Sequence, residues 1–129
     1  FLISNLYKQN KLNAAKDSLT DFLKLNDIED ELKAEAKLYL AQVLYRQRKY
    51  QESLDAVVEC LNTEIKNEKW IHAFAHYFGA WNSYHLKKFT DSRLFLLQID
   101  QISEFDFRNS LENKIYTLKR LLLQETRNN

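Results

Sequence analysis

Two histidines and a run of carboxylates are among the residues of this 129-residue chain whose types and spacing could support chemistry. His72 and His76 stand four residues apart, a spacing that can place two imidazoles on one metal ion if both lie on a helix. No Glu or Cys accompanies them in the manner of H-E-x-x-H, and His85 is half a helical turn out of phase with His76. We therefore predict no metal site and no cofactor.

The acidic residues between Asp27 and Glu31 are expected to cap and solvate the start of a helix, because negative charge is favourable there. No pocket motif accompanies them, so no acid or base role is assigned. Cys60 is the only cysteine, which excludes an intrachain disulfide and permits a reducing compartment. With no catalytic residue to assign, the chain is predicted not to be an enzyme.

The composition favours long helices joined by short polar corners. The chain has one glycine and no proline, which disfavours tight turns and Gly-rich phosphate loops. Its 19 Lys and Arg residues balance 18 Asp and Glu residues, so despite the basic and aromatic stretch HLKKF we predict no nucleic-acid binding. No apolar run reaches the length of a membrane span, so no membrane insertion is expected.

The ends of the sequence and its lack of a signal suggest a context for the chain. It starts at Phe1 and contains no methionine, so we expect it to be a piece of a longer protein. No signal peptide is visible, and the default expectation for such a chain with one thiol is a cytoplasmic location.

One sequence pattern recurs along the chain at a nearly constant interval. Three segments align without gaps: ISNLYKQNKLNAAKDSL, AQVLYRQRKYQESLDAV and AWNSYHLKKFTDSRLFL. Their tyrosines are Tyr7, Tyr45 and Tyr84, and a polar corner follows each one. A period of about 39 residues is typical of stacked helical repeats, because one helix pair cannot bury its apolar face alone.

The apolar spacing places the helices. We predict them near residues 1–9, 12–25, 30–47, 50–64, 69–86, 89–102 and 110–126. They group into repeats at about 1–26, 30–65 and 69–103, followed by a capping helix at 110–126. Asn67 is a candidate side-chain cap for the helix near 69–86.

These repeats resemble the tetratricopeptide repeat, whose pattern is W-x2-L-G-x2-Y followed by A-x3-F. Ala41 and Ala80 occupy its small-residue slot, while Gly79 stands where leucine is usual and the proline of the family is absent. The resemblance implies a single all-α domain whose antiparallel helix pairs stack as a right-handed α-solenoid. It also implies a non-catalytic scaffold with a concave groove for peptides or partner helices, and a small buried residue at Cys60.

One face of the helix near 69–86 is aromatic. Steps of four, three, four and three residues connect Trp70, Phe74, Tyr77, Trp81 and Tyr84, which places them on one stripe. This aromatic stripe could be an exposed recognition surface at the groove. Alternatively it could be core beneath the C-terminal segment, whose Phe105, Phe107, Leu111, Ile115, Leu118 and Leu122 would cover it.

A basic residue follows each repeat tyrosine, giving the pairs Tyr7-Lys8, Tyr45-Arg46 and Tyr84-His85. These residues could grip an acidic segment of a partner along the groove. The competing interpretation is that a cation near a helix C-terminus complements the helix dipole.

Function is therefore predicted as a protein-interaction scaffold or adaptor, a subunit of a larger assembly that binds a partner peptide or helix. The alternative is a peptide-sensing regulatory domain of a larger transcriptional or signalling protein. Self-association through the groove is a further possibility. The predicted partner-binding residues are Tyr45, Arg46, Phe74, Tyr77, Trp81, Tyr84 and His85.

Overall fold

Six α-helices make up the part of the chain that the structure describes. The computed structural model describes residues 5–102 and 105–128, with side chains at 9–102 and 105–126. In chain order the helices are α1 (Asn5–Leu23), α2 (Asp30–Arg46), α3 (Tyr50–Leu61), α4 (Trp70–His85), α5 (Phe89–Asp100) and α6 (Arg108–Asn128). No strand occurs within these ranges, and the all-α prediction is confirmed. Every helix in them is too short or too polar to span a bilayer.

The last five helices lie where the apolar spacing predicts them, but the first two predicted helices are wrong. A single helix, α1, runs without a break through residues 9–12, where a polar corner was expected. Asn10 is the counterpart of Arg48 in the next corner, yet it stays helical. Separate helices of fewer than about 12 residues are marginal unless they are well packed, so the continuous helix retains hydrogen bonds that a turn would lose.

The two remaining corners share one backbone geometry. Arg48 and Lys87, which occupy equivalent places in successive repeats, have φ values of 63° and 62°, in the left-handed region. The amide of Lys49 donates to the carbonyl of Leu44 at 2.9 Å, and the amide of Lys88 donates to the backbone carbonyl of Ser83 at 2.8 Å. These six-to-one bonds define Schellman motifs, which end α2 and α4 and turn the chain into α3 and α5.

Buried hydroxyl groups tie each helix pair together just beyond its corner. The Ser53 hydroxyl on α3 donates to the carbonyl of Ala41 on α2 at 2.6 Å, and Ser92 on α5 donates to Ala80 on α4 at 2.8 Å. All four residues are fully buried. The small alanines let the helices approach closely enough for these bonds, and Asn82 Nδ2 then donates to Ser53 Oγ at 2.8 Å, connecting α4 to α3.

Each helix packs against its neighbours in the sequence, and some helices also pack against the second helix along the chain. Each helix contacts the next one along the chain, and α2 also contacts α4, which contacts α6. One apolar cluster joins α2, α3 and α4 and includes Leu38, Val57 and Ile71. A second joins α4, α5 and α6 and includes Ile99 and Leu118. As a result α2, α4 and α6 lie side by side.

The start of α4 is held by a carboxylate from α2 rather than by a local cap. Glu31 Oε1 accepts hydrogen bonds from the amides of Lys66 and Asn67, both at 2.5 Å, and from Glu68 at 3.3 Å. These bonds, led by the one from Asn67, lower the pKa of Glu31 below its usual value. The predicted side-chain cap at Asn67 is therefore wrong, because that residue contributes its backbone amide.

Candidate binding groove

The aromatic stripe on α4 lies at the boundary between core and surface. Its five residues are all half-buried. One side of α6 packs onto α4 and α5 through four buried residues, Leu111, Ile115, Leu118 and Leu122, and the rings from Phe74 to Tyr84 in the stripe pack against that cluster. Each of the two alternatives from the sequence thus describes part of the stripe: α6 covers one side and leaves the other accessible.

The accessible side opens into a cavity of about 380 Å³ between α2, α4 and the start of α6. Its lining is mostly aromatic and apolar: Leu38, Tyr39, Gln42, Trp70, Phe74, Tyr77, Phe78, Phe107 and Lys114. Phe107 is 62% exposed and stands edge-on to Trp70, with their ring centroids 6.1 Å apart. Together with the aromatic cluster at the helix ends described next, this cavity forms what we call the groove.

That cluster surrounds Tyr45 at the C-terminal ends of α2 and α4. The Tyr45 ring lies 5.7 Å from those of Phe78, Tyr50 and His85, measured between centroids. The Tyr45 hydroxyl group and His85 Nε2 are hydrogen-bonded at 3.2 Å. Burial, followed by the neighbouring Tyr50 and Tyr77, raises the pKa of Tyr45 to about 12, so the phenol stays neutral at physiological pH.

His85 is an aromatic member of this cluster. Its ring stacks on Tyr50 with centroids 4.3 Å apart and planes at 11°, and on Trp81 at 5.7 Å and 25°. Burial, and then the charge of Arg48, lowers the pKa of His85 below its ordinary value. A lowered pKa disfavours the cationic form, so the surroundings of His85 oppose the basic role predicted for it at the end of α4.

The predicted partner-binding residues fall into three places. Phe74 and Tyr77 line the cavity, while Tyr45, Trp81, Tyr84 and His85 form the aromatic cluster. Phe78 connects the two, because its ring contacts both Tyr77 and Tyr45. Arg46 is exposed in the last turn of α2 and does not line the cavity. The first pair, Tyr7-Lys8, lies outside the described side chains.

Several residues of the groove were not among the predicted binding residues: Leu38, Tyr39, Gln42, Tyr50, Trp70, Phe78, Phe107 and Lys114. A signal for Tyr50 was present in the repeat, because an aromatic residue begins the helix after the corner in both later repeats. The structure brings each such residue onto its repeat tyrosine, with ring centroids 5.7 Å apart for Tyr45 and Tyr50 and 5.6 Å apart for Tyr84 and Phe89. Phe107 and Lys114 carry no such signal, because their places depend on how α6 packs.

The histidines and the cysteine considered for chemistry, His72, His76 and Cys60, make packing and hydrogen-bond contacts within the fold. His72 Nε2 lies 3.0 Å from the Thr63 carbonyl and 3.2 Å from that of Cys60, where it can donate a hydrogen bond to the end of α3. Burial lowers the pKa of His76 to about 4 and raises that of the Cys60 thiol to about 12. The described ranges contain no group of three or more His, Cys, Asp or Glu residues arranged to hold a metal ion.

No protein-family model, curated protein or solved structure matches this chain.

Proposed function

We propose that this chain is a non-enzymatic protein-interaction module, a TPR-like right-handed α-solenoid that binds a partner peptide or helix in its groove. The observation that carries the proposal is that Trp70, Phe74 and Tyr77 of the half-buried aromatic stripe line a cavity of about 380 Å³ between α2 and α6. In this role the chain acts as a scaffold or adaptor within a larger assembly.

The repeat part of the proposal rests on contacts that recur at equivalent positions of successive repeats. The bonds from Ser53 to Ala41 and from Ser92 to Ala80 are such a pair, and the two Schellman corners are another. Side-by-side contacts from α2 to α4 and from α4 to α6 supply the stacking that a solenoid needs.

The binding part of the proposal rests on the type of side chain in the groove. Aromatic rings gain a large apolar contact area on binding at a small cost in side-chain entropy, and Trp and Tyr are enriched among the residues that dominate interface energies. The cavity volume lies near the lower end of the range typical of ligand pockets, which begins at about 300 Å³. It can therefore receive a few side chains of a partner, with the remaining contacts made along the aromatic cluster.

A random dodecapeptide display library tests this proposal. The library is selected on the wild-type chain, and the enriched peptides are then measured by fluorescence polarisation against Phe107→Ala and Tyr77→Ala. Phe107 is largely exposed, so its truncation should leave the fold intact, which circular dichroism checks. Val58→Ala is the matched control, because Val58 is a 45% exposed apolar residue on α3, away from the groove lining.

We expect each groove variant to bind the peptides at least about tenfold more weakly, in line with the loss of an interface anchor. Val58→Ala should bind as the wild type does. Equal binding by all variants, or a selection that enriches no peptide, would refute the groove as the binding surface.

A further inference from the structure

Exposed cations cluster where the aromatic groove meets the two corners. Arg48 and Lys49 in one corner and Lys87 and Lys88 in the other are all exposed. The corners are adjacent, since Tyr45 and His85 are hydrogen-bonded across them and the charge of Arg48 reaches His85.

These four cations have no ion-pair partner within the described residues. Two carboxylates, Glu52 and Asp91, lie in the first turns of α3 and α5, so positive charge remains in excess at this end of the groove.

At the opposite end of the groove three carboxylates accept hydrogen bonds from neutral donors within the chain. Glu35 accepts a hydrogen bond from the Tyr39 hydroxyl group at 2.9 Å, and Glu68 accepts one from Trp70 Nε1 at 2.7 Å. Glu31 accepts bonds from the backbone before α4. Hydrogen bonds from these neutral donors leave the three carboxylates negative, so the excess of positive charge is confined to the corner end of the groove. Among the described residues, Lys114 is the one cation in the cavity lining.

We propose that the groove recognises an acidic peptide segment that carries an apolar anchor. This inference rests on the proposed function and specifies the chemistry of the partner. The anchor occupies the cavity beside Phe74 and Tyr77, and the acidic residues lie against Arg48, Lys49, Lys87 and Lys88. Complementary charge at the rim of an interface steers association and selects partners, so the corners supply specificity while the cavity supplies the apolar contact.

The length of α4 between the two features sets the spacing in the partner. Phe74 and His85 lie near opposite ends of that helix, and their positions in the sequence correspond to a separation of roughly 16 Å along its axis at about 1.5 Å per residue. An extended peptide covers that distance in about five residues. We therefore expect the acidic residues to lie about five positions from the anchor.

A single-stranded nucleic acid shares the negative charge but fits the aromatic cluster less well. Bases bind such surfaces by stacking on open ring faces. Here the ring of His85 already stacks on both Tyr50 and Trp81, which leaves those faces engaged within the protein.

The test uses the dodecapeptides enriched on the wild-type chain and a corner variant in which Arg48, Lys49, Lys87 and Lys88 are all changed to Gln. A matched control removes the same charge elsewhere, from the exposed residues Lys24, Lys66, Lys119 and Arg120. Binding of each peptide is measured at low salt, about 50 mM NaCl, and at high salt, about 500 mM NaCl, which brackets the range over which exposed charges become screened. A uridine dodecamer is measured in parallel.

We expect the enriched peptides to be acidic and to bind the corner variant about tenfold or more weakly, with little change in the control variant. High salt should weaken binding to the wild type and remove most of its difference from the corner variant, because exposed charges are screened.

Three outcomes would overturn the inference, and they differ in what they imply for the proposed function. Enriched peptides that are apolar but not acidic, and that still depend on Tyr77 and Phe107, would leave the groove as a binding site and refute the acidic partner. Peptides that ignore both sets of variants would refute both proposals. Tighter, corner-dependent binding of the uridine dodecamer would show that the surface serves nucleic acid.

Discussion

The helix pairs α2–α3 and α4–α5 are joined by the same internal contacts, but they present different side chains to the neighbouring helices. In both, a serine just beyond the corner donates to a buried alanine carbonyl, and a long basic residue adopts a left-handed backbone at the corner. A non-glycine residue in that region costs roughly 1–2 kcal/mol, and two corners retain it, so the tight reversal between paired helices must recover that cost through packing.

The faces of α2 and α4 that lie away from their paired helices carry different residues at equivalent positions. The face that carries Trp70, Phe74 and Tyr77 on α4 carries Glu31, Glu35 and Leu38 at the equivalent positions of α2. The polar face makes a cap and a hydrogen bond within the chain, whereas the aromatic face receives α6 and lines the cavity. The serine bond and the corner are thus common to both pairs, whereas the positions that face the next pair differ and determine what packs there.

The largest expected effect on stability comes from placing the bulky residue of the α2–α3 contact at the matching position of α4. Gly79 and Phe95 in α4–α5 correspond to Leu40 and Ala56 in α2–α3. A Cβ atom at Gly79 would lie 2.7 Å from the Phe95 ring, which packs against both apolar clusters and has little room to move. Gly79→Leu should therefore lower the free energy of unfolding by about 3 kcal/mol, as measured by urea denaturation.

The double variant Gly79→Leu with Phe95→Ala recreates the α2–α3 arrangement and should recover much of that loss. If the double variant is as unstable as Gly79→Leu alone, the two pairs are not related by this exchange of volumes.

The buried serines distinguish the pairs by their second bond. Ser53 donates to Ala41 and also accepts from Asn82, while Ser92 makes only the first kind of bond among the described residues. Ser53→Ala leaves the buried Asn82 amide without its acceptor, so it should lower the free energy of unfolding by about 2 kcal/mol. Ser92→Ala should lower it by about 1 kcal/mol. Urea denaturation measures both.

The control for this prediction comes from the first pair, where Val43 stands at the position of Asn82. Adding Asn82→Val to Ser53→Ala should restore most of the lost stability, because the unpaired polar group is removed along with its partner. Equal costs for the two serine variants would contradict the role of the Asn82 bond.

The smallest expected effect concerns pH. His76 corresponds to Lys37, which forms an ion pair with Glu59 at 3.2 Å, whereas burial holds the pKa of His76 at about 4. The unfolded chain, with an ordinary pKa near 6.5, binds the proton first. The stability from His76 is therefore complete above about pH 6.5 and falls as the pH drops toward 4. The full pKa shift would correspond to about 3 kcal/mol, and solvent screening of this partly exposed ring reduces the expected loss to roughly 1–2 kcal/mol.

Thermal unfolding between pH 4 and 7 checks this prediction. His76→Gln should flatten the profile, apart from a smaller slope that His85 contributes through its own lowered pKa. His72→Gln should reduce the slope only slightly, because burial is a larger cause of the lowered pKa of His76 than the neighbouring His72. A wild-type profile that is already flat would mean that His76 is not desolvated in the native state.

The limits of sequence-based prediction are clearest in α1 and at the start of α4. The corner expected in the first repeat has the same polar character as the other two, yet the chain continues there as helix α1. Asn67 has the side chain of a helix cap, but Glu31 of another helix takes that role. Both errors arise because a local pattern shows which conformations are permitted, while packing and distant hydrogen bonds select among them.

The positions of α2 to α6 followed from the sequence because they depend on the local spacing of apolar residues, and the period is a property of the sequence pattern itself. The placement of α6 depended on contacts between segments far apart in sequence. It is α6 that covers one side of the aromatic stripe, brings Lys114 to the cavity and leaves Phe107 at its edge. The contacts of Tyr50 and Trp81 with His85 likewise depend on the tertiary structure, and burial there lowers a pKa that residue type alone leaves at its ordinary value.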